Sequence, residues 1–432
     1  RDFCLSRGLG DVYKRQEVDK SMIKRKFKMY CIALIMTAVA FLTSCTGITF
    51  TTSKKETVDV ENKITNTVVN YENITIDDLK NCIVNTTKMV ENAVIGVTLK
   101  ANYTTSIMGR PITSEDTESI GSGVIYKRIE NKDTDGNIIS YTYYVVTNRH
   151  VITGSNANYE YKIYAYLGYE DLEIEAEIVG YDTKVDMAVI KFDHSTYIQP
   201  VEFANSDEVE KGQFVIAIGN PDGYDYYGSA TLGIVSGELR YISDDTDGDN
   251  VNDFNATYIQ HDASINPGNS GGGLFTIDGK LIGINTLKIV DEEIDNMGFA
   301  IPSNVIKSLI ENYIEKDIEI TRPRLGITGS NVRELTNAVI AANGLLEIPD
   351  IYGTSKPYGI YVVNITAGGS LSGSGVQKDD IILTFDGEKL TSLNILSAKL
   401  NSLTEYFIGS EVQISYYSRS QKEIITETIL LK

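Results

Sequence analysis

From Ala93 onward the chain is written in short runs of apolar and β-branched residues. Three lie close together: Ala93-Val94-Ile95-Gly96-Val97-Thr98-Leu99, Ser122-Gly123-Val124-Ile125-Tyr126, and Tyr141-Thr142-Tyr143-Tyr144-Val145-Val146-Thr147. Two more are Gln213–Ile218 and Leu281–Ile284. Such side chains fit a pleated, half-buried surface. Asp135-Gly136-Asn137 and Asp278-Gly279 separate the runs as turn signals. Many strands without intervening helices predict an all-β barrel or sandwich. A short helix is expected over residues 76–92, and another over Asn304–Glu315 closes the region. Arg322-Pro323-Arg324 marks a boundary, because Pro disfavours helix in the residue before it. Residues 324–432 then form a second unit that mixes strands with a helix near Leu393–Leu403. A length of 432 residues agrees with two or three folded units.

The first 75 residues read differently. Met22 opens a basic run, Lys24-Arg25-Lys26-Phe27-Lys28, followed by an apolar stretch from Met29 to Leu42. That stretch is short for a membrane span and fits the n- and h-regions of an export signal. Leu42-Thr43-Ser44-Cys45 resembles a bacterial lipobox, in which cleavage frees Cys45 for lipid attachment. An uncleaved anchor helix is the alternative, and both place the bulk of the chain outside the cytoplasm. Residues 46–75, rich in Thr, Asn, Lys and Glu, read as a tether. The expected organisation is therefore 1–21 outside the mature protein, 22–45 an export signal, 46–75 a tether, 76–320 the first folded domain and 322–432 the second.

Composition narrows the function classes. The net charge of −20 argues against a general nucleic-acid binder, and the basic leader makes the remainder more acidic still. With Cys4 and Cys31 ahead of the cleavage point and Cys45 lipidated, Cys82 stands alone, so no disulfide framework is expected. Cys82 lies in a helical pattern and is expected to be a buried thiol.

The chemistry concentrates in Asn266-Pro267-Gly268-Asn269-Ser270-Gly271-Gly272. A Ser between glycines can sit on a tight turn, and the N–H groups of Gly268 and Ser270 can converge on an oxyanion. Its hydroxyl needs a base, and His is scarce: only His150, His194 and His261 are present. His150 ends a strong strand pattern, and Asp186 leads into another, Met187-Ala188-Val189-Ile190. The order His150, Asp186, Ser270 in β-rich sequence is that of the chymotrypsin-like clan. His261 is expected to be structural or at the surface, and His194 solvated in a turn.

Thr147-Asn148-Arg149-His150-Val151, Asp186-Met187-Ala188-Val189-Ile190-Lys191, Asp262–Gly272 and Gly298-Phe299-Ala300-Ile301-Pro302 together resemble the HtrA (Deg-type) serine proteases. The resemblance covers roughly residues 80–430. It implies an all-β, chymotrypsin-like double β-barrel of two six-stranded barrels followed by a PDZ domain, itself mixed α/β but mainly strands. It also implies ATP-independent cleavage of unfolded proteins, without a required cofactor, in a homo-trimer. A dedicated processing protease and a non-enzymatic or latent PDZ scaffold or chaperone are the alternatives.

Within that resemblance, Leu325-Gly326-Ile327 looks like the strand that receives a peptide C-terminus by strand addition and carboxylate capture. The long segment Asn331–Pro357 departs from the pattern and could cover or reshape that groove. In the clan, the residue six before the nucleophile commonly floors the S1 pocket. Here it is Ser264, which with Ile265 and Ile289 implies cleavage after small apolar residues. One further string, Asp244–Asp253, packs alternating acids around Gly248. It reads as a solvated hairpin tip, because Asp-Gly is a turn signal in its own right. Asp245, Asp247, Asp249 and Asp253 are also a candidate calcium ligand set, as in oxygen-rich calcium loops.

Overall fold

The computed structural model describes residues 75–432 apart from 108–109, 222, 245–253, 287–295 and 354. Cys45, Ile289 and the acidic residues Asp245, Asp247, Asp249 and Asp253 lie outside the described residues.

The described chain opens with α1 (Ile76–Val90). Thr75 caps it: its hydroxyl accepts the Asp78 N–H at 3.2 Å while Asp78 accepts the Thr75 N–H at 2.9 Å. Such a reciprocal box satisfies two otherwise unpaired helix-end donors. Cys82 lies on the exposed side of α1, which corrects the expectation of a buried thiol. The helical spacing of its neighbours turns Thr86 and Val90 inward instead.

Six strands then close into a first barrel: β1 (Val94–Ile107), β2 (Arg110–Lys132), β3 (Ile138–Asn148), β4 (Glu160–Leu167), β5 (Leu172–Asp182) and β6 (Met187–His194). Their order is β1-β2-β3-β6-β5-β4, and pairing of β1 with β4 closes the ring. A second ring follows: β7 (Phe214–Gly219), β8 (Ser229–Asp244), β9 (Phe254–His261), β10 (Gly273–Thr276), β11 (Leu281–Thr286) and β12 (Gly298–Pro302). Its order is β10-β11-β12-β9-β8-β7, closed by β7 pairing with β10. The period-2 geometry of a strand explains how one sequence serves two cores. In β7, Val215 and Ala217 join a small cluster with Val235, Ile259, Leu274 and Ile282. The alternate residues Ile216 and Ile218 join the larger cluster that runs into the first barrel. Each fully buried Val, Leu or Ile among them stabilises the fold by about 1.5–3 kcal/mol. Helix α2 (Ser303–Asn312) follows Pro302 and buries Val305, Ile306, Leu309 and Ile310 on one face.

The third sheet holds β13 (Ile327–Asn331), β14 (Ile360–Ile365), β15 (Ile381–Phe385), β17 (Glu411–Ser418) and β18 (Glu423–Leu430) in that order, with β16 (Glu388–Lys389) pairing β15. Segment 331–357, which includes α3 (Asn337–Ala342), packs on one face of this sheet. There Leu335, Leu345, Ile348, Ile351 and Tyr352 meet Tyr361, Ile381 and Leu383. Helix α4 (Leu393–Ser402) covers the opposite face, where Leu396 and Leu400 meet Ile360, Val362 and Ile382. The described apolar residues of the insertion thus pack on the sheet face away from α4.

The C-terminal end of α4 is seated on the second barrel. Asn401 donates to the Asn255 carbonyl at 2.8 Å, and Leu403 is buried among the barrel core residues.

Candidate active site

Three residues that sequence reading brought together by order arrive from two barrels. β3 ends at Asn148, and His150 opens a single 3-10 turn, His150–Ile152. Asp186 lies between β5 and β6 with φ +59°, a left-handed conformation that Asp adopts more readily than most residues. Its turn is prepared by Asp182, whose carboxylate accepts the N–H groups of Lys184 at 2.8 Å and Val185 at 3.3 Å.

The 148–150 segment then holds Asp186 at four points. Its carbonyl accepts from Arg149 N–H at 3.0 Å and from the Asn148 amide at 3.0 Å. One carboxylate oxygen accepts the His150 N–H at 2.9 Å, and the other meets His150 Nδ1 at 2.6 Å. A carboxylate on Nδ1 requires the Nδ1–H tautomer and leaves Nε2 as the basic nitrogen. The Asp186 side chain is 10% exposed and that of His150 40% exposed, so the pair is buried at its acid end and open at its imidazole end.

Ser270 comes from the second barrel, in the turn before β10. Gly268 and Gly271 flank it at φ +97° and +84°. A Cβ on Gly271 would lie 2.0 Å from the Ser122 carbonyl oxygen, so only glycine fits that approach. Backbone hydrogen bonds lace the turn to itself and to β11: Asn269 N–H to Asn266 O, Gly272 N–H to Asn269 O and Gly271 N–H to Asn285 O, each at 2.9 Å. The second of these aims the Ser270 N–H away from Gly272, because the two ends of a peptide plane point oppositely. The Gly268 N–H donates to no other described residue. Ser270 and the His150 segment lie side by side. A Cβ on Gly121 would touch Val151 at 2.6 Å and the Ser270 carbonyl at 3.0 Å.

Ser264 is exposed, and Ile265 is partly buried against the small core of the second barrel. His261 is fully buried in β9, deeper than expected from the sequence. That burial pushes its imidazole down to about 4. His194 is partly covered rather than fully solvated: its side chain is 9% exposed, and its Nε2 lies 3.1 Å from the exposed Glu170. The sequence reading missed Ser122, Thr147, Asn148 and Asn220 as parts of the site. All four are fully buried polar residues next to apolar strand sequence, and that polarity was their signal.

In the third sheet, the carbonyls of Arg324, Leu325 and Gly326 accept from Ser370, Leu371 and Thr366 at 3.0, 3.1 and 2.7 Å. The N–H groups of Leu325 and Gly326 donate to no described residue. Among the described residues β13 pairs β14 alone and contacts α4, and Asn331 accepts the Leu393 N–H at the start of α4 at 2.8 Å. This arrangement can receive an extended chain with a negative end.

Residues 121–284 match the trypsin-like peptidase domain and residues 323–429 match the PDZ domain. The chain is 34% identical over 309 residues to serine protease Do-like HtrA of Bacillus subtilis (strain 168), covering 70% of this chain and 63% of that protein. It is 34% identical over 319 residues to serine protease Do-like HtrA of Lactobacillus helveticus, covering 72% of this chain and 68% of that one. Among solved structures, the HtrA-type protease AlgW with tripeptide matches with a TM-score of 0.54 at 26% identity, over 81% of this chain and 97% of that one. Two barrels, a PDZ sheet and these similarities agree: the chain belongs to the HtrA-type serine proteases, serine endopeptidases with a C-terminal PDZ domain.

Proposed function

We propose that this protein is an exported endopeptidase of the bacterial cell envelope that degrades unfolded or mislocalised proteins without ATP. The observation that carries the reading is the His150–Asp186 pair, at 2.6 Å, opening toward the loop that holds Ser270. In this reading Ser270 attacks the peptide carbonyl and His150 Nε2 takes its proton. Asp186 holds the imidazole and stabilises its charged form. The carbonyl oxygen, as it becomes an oxyanion, is held by the Gly268 and Ser270 N–H groups. His150 then returns the proton to the leaving amine, and water hydrolyses the acyl-enzyme by the same relay in reverse. These steps need protein groups and water alone.

Ser264, Ile265 and Ile289 form the proposed S1 pocket. With no carboxylate among them, it favours small apolar residues over Lys or Arg. The PDZ sheet captures C-termini at Leu325, Gly326 and Ile327, with cleavage partners chosen mainly by being unfolded. A lipid on Cys45 anchors the chain, and the assembly is a homo-trimer.

Degradation of a reduced, alkylated test protein by wild type and by Ser270→Ala tests the catalytic core of this reading. Wild type should digest it and the variant should not. Equal digestion by both would sink it.

A further inference from the structure

Ser122, in β2 of the first barrel, is fully buried and hydrogen-bonds to residues of the second. A serine hydroxyl can give one hydrogen bond and accept two. Asn220, immediately after β7, supplies both donors: its N–H at 2.9 Å and its side-chain amide at 3.2 Å. The Ser122 proton therefore has one direction left, and it donates to the Gly268 carbonyl at 2.7 Å. Asn220 is itself fixed, giving its amide also to Ile95 O at 2.8 Å and accepting the Gly228 N–H at 2.9 Å. The Ser122 backbone extends the grip. Its N–H donates to Ser270 O at 2.8 Å, and its carbonyl accepts Thr147 Oγ1 at 2.6 Å. Ser122 thus holds, by their carbonyls, both residues assigned to oxyanion binding. Thr147, three residues before His150, holds Ser122 in turn.

We propose that Ser122 is a positioning residue, whose hydroxyl, aimed by Asn220, sets the oxyanion-binding turn from the opposite barrel. Gly268 sits at φ +97°, where a glycine has wide freedom in both backbone angles. Fixing its carbonyl removes that freedom and keeps the neighbouring N–H groups preorganised for the charge that develops on the substrate. Such preorganisation acts on the transition state and hardly on the bound substrate. The inference rests on the serine endopeptidase chemistry above and adds a residue to it from the barrel that carries His150.

The test uses the full-length protein with a chromogenic peptide and a peptide boronate, whose tetrahedral adduct with Ser270 places an oxygen at the oxyanion position. A fluorophosphonate counts competent sites. Ser122→Ala should lower kcat per competent site by about 10–100-fold, somewhat less than the loss of an oxyanion donor itself. KM should stay within about twofold, and boronate affinity should fall by the same factor as kcat. Ser122→Cys, close in shape but with a weak S–H donor, should fall between Ser122→Ala and wild type. A wild-type kcat per competent site in Ser122→Ala would overturn the proposal, as would a loss of kcat with boronate affinity unchanged. If Ser122→Ala does not fold, Ser122→Cys decides alone by the same two readouts. Ser270→Ala runs alongside, because peptide cleavage there would remove the nucleophile assignment rather than the role of Ser122.

Discussion

Arg322 reaches from the junction between the barrels and the PDZ sheet to the carboxylate of Asp182, and the two side chains are 11% and 2% exposed. Asp182 is the residue whose other oxygen shapes the turn leading to Asp186. Arg322 also donates to the Asn401 carbonyl of α4 at 2.9 Å and lies 5.2 Å from the Phe254 ring centroid. Removing one partner of a buried pair leaves a charge without compensation, which costs about 3–5 kcal/mol. Arg322→Met should therefore destabilise by that order in urea unfolding. Arg322→Met/Asp182→Asn, with no orphaned charge, should be more stable than Arg322→Met. A double variant less stable than the single would show that the Asp182 carboxylate stabilises its turn even without Arg322, so that no orphaned charge is being relieved.

The Asp186 geometry makes a prediction about tautomers. Asp186→Asn would present an amide to Nδ1, and the imidazole would turn its lone pair toward the amide N–H. Turnover at neutral pH should fall by about 10⁴-fold, while near-ultraviolet circular dichroism stays that of a folded barrel. Peptide assays that find less than a tenfold loss would rule out the orienting role.

His261 predicts a pH dependence of stability. Its folded pKa of about 4 lies below the ordinary 6.5, so the unfolded chain takes up a proton first as the pH falls. The contribution is complete above pH 6.5, is lost progressively below it, and levels off under pH 4. Integrated, it amounts to about 3 kcal/mol. The stability difference between wild type and His261→Gln should shrink by that order between pH 7 and pH 4.5. A difference independent of pH would show that His261 is not neutral in the fold.

At the PDZ edge, peptides with an apolar residue and a free carboxylate should bind about tenfold or more tightly than their C-terminal amides. Gly326→Ala should abolish the preference, since Gly326 has φ +71° and its Cβ would lie 2.6 Å from the Gly369 Cα. Calorimetry that gives equal affinities for the two wild-type complexes would refute carboxylate capture.

The barrels were legible in the sequence because their strands carry period-2 apolar runs and their reactive residues stand in distinctive strings. The supports of the site were not. Ser122 is one hydroxyl in Gly-Ser-Gly-Val-Ile, and its partners Asn220, Gly268 and Ser270 lie 98 or more residues away, joined only by barrel closure. The burial of His261 was equally hidden, because its place under Gly298 depends on β9 pairing β12. Cys82 was misread because the α1 pattern gives a helical face but not which side meets the barrel.

Both barrels close on themselves, so among the described sheets the open edges belong to the third, at β13, at β18 and at the two-residue β16. An open edge is a template for any extended chain, and β18 is defended by Glu423 and Glu427. β13, Ile-Thr-Gly-Ser-Asn, carries no charged side chain, and α4 lies beside it. In the proposed reading, a client strand that adds to β13 would therefore lie between that edge and a helix rather than between two strands.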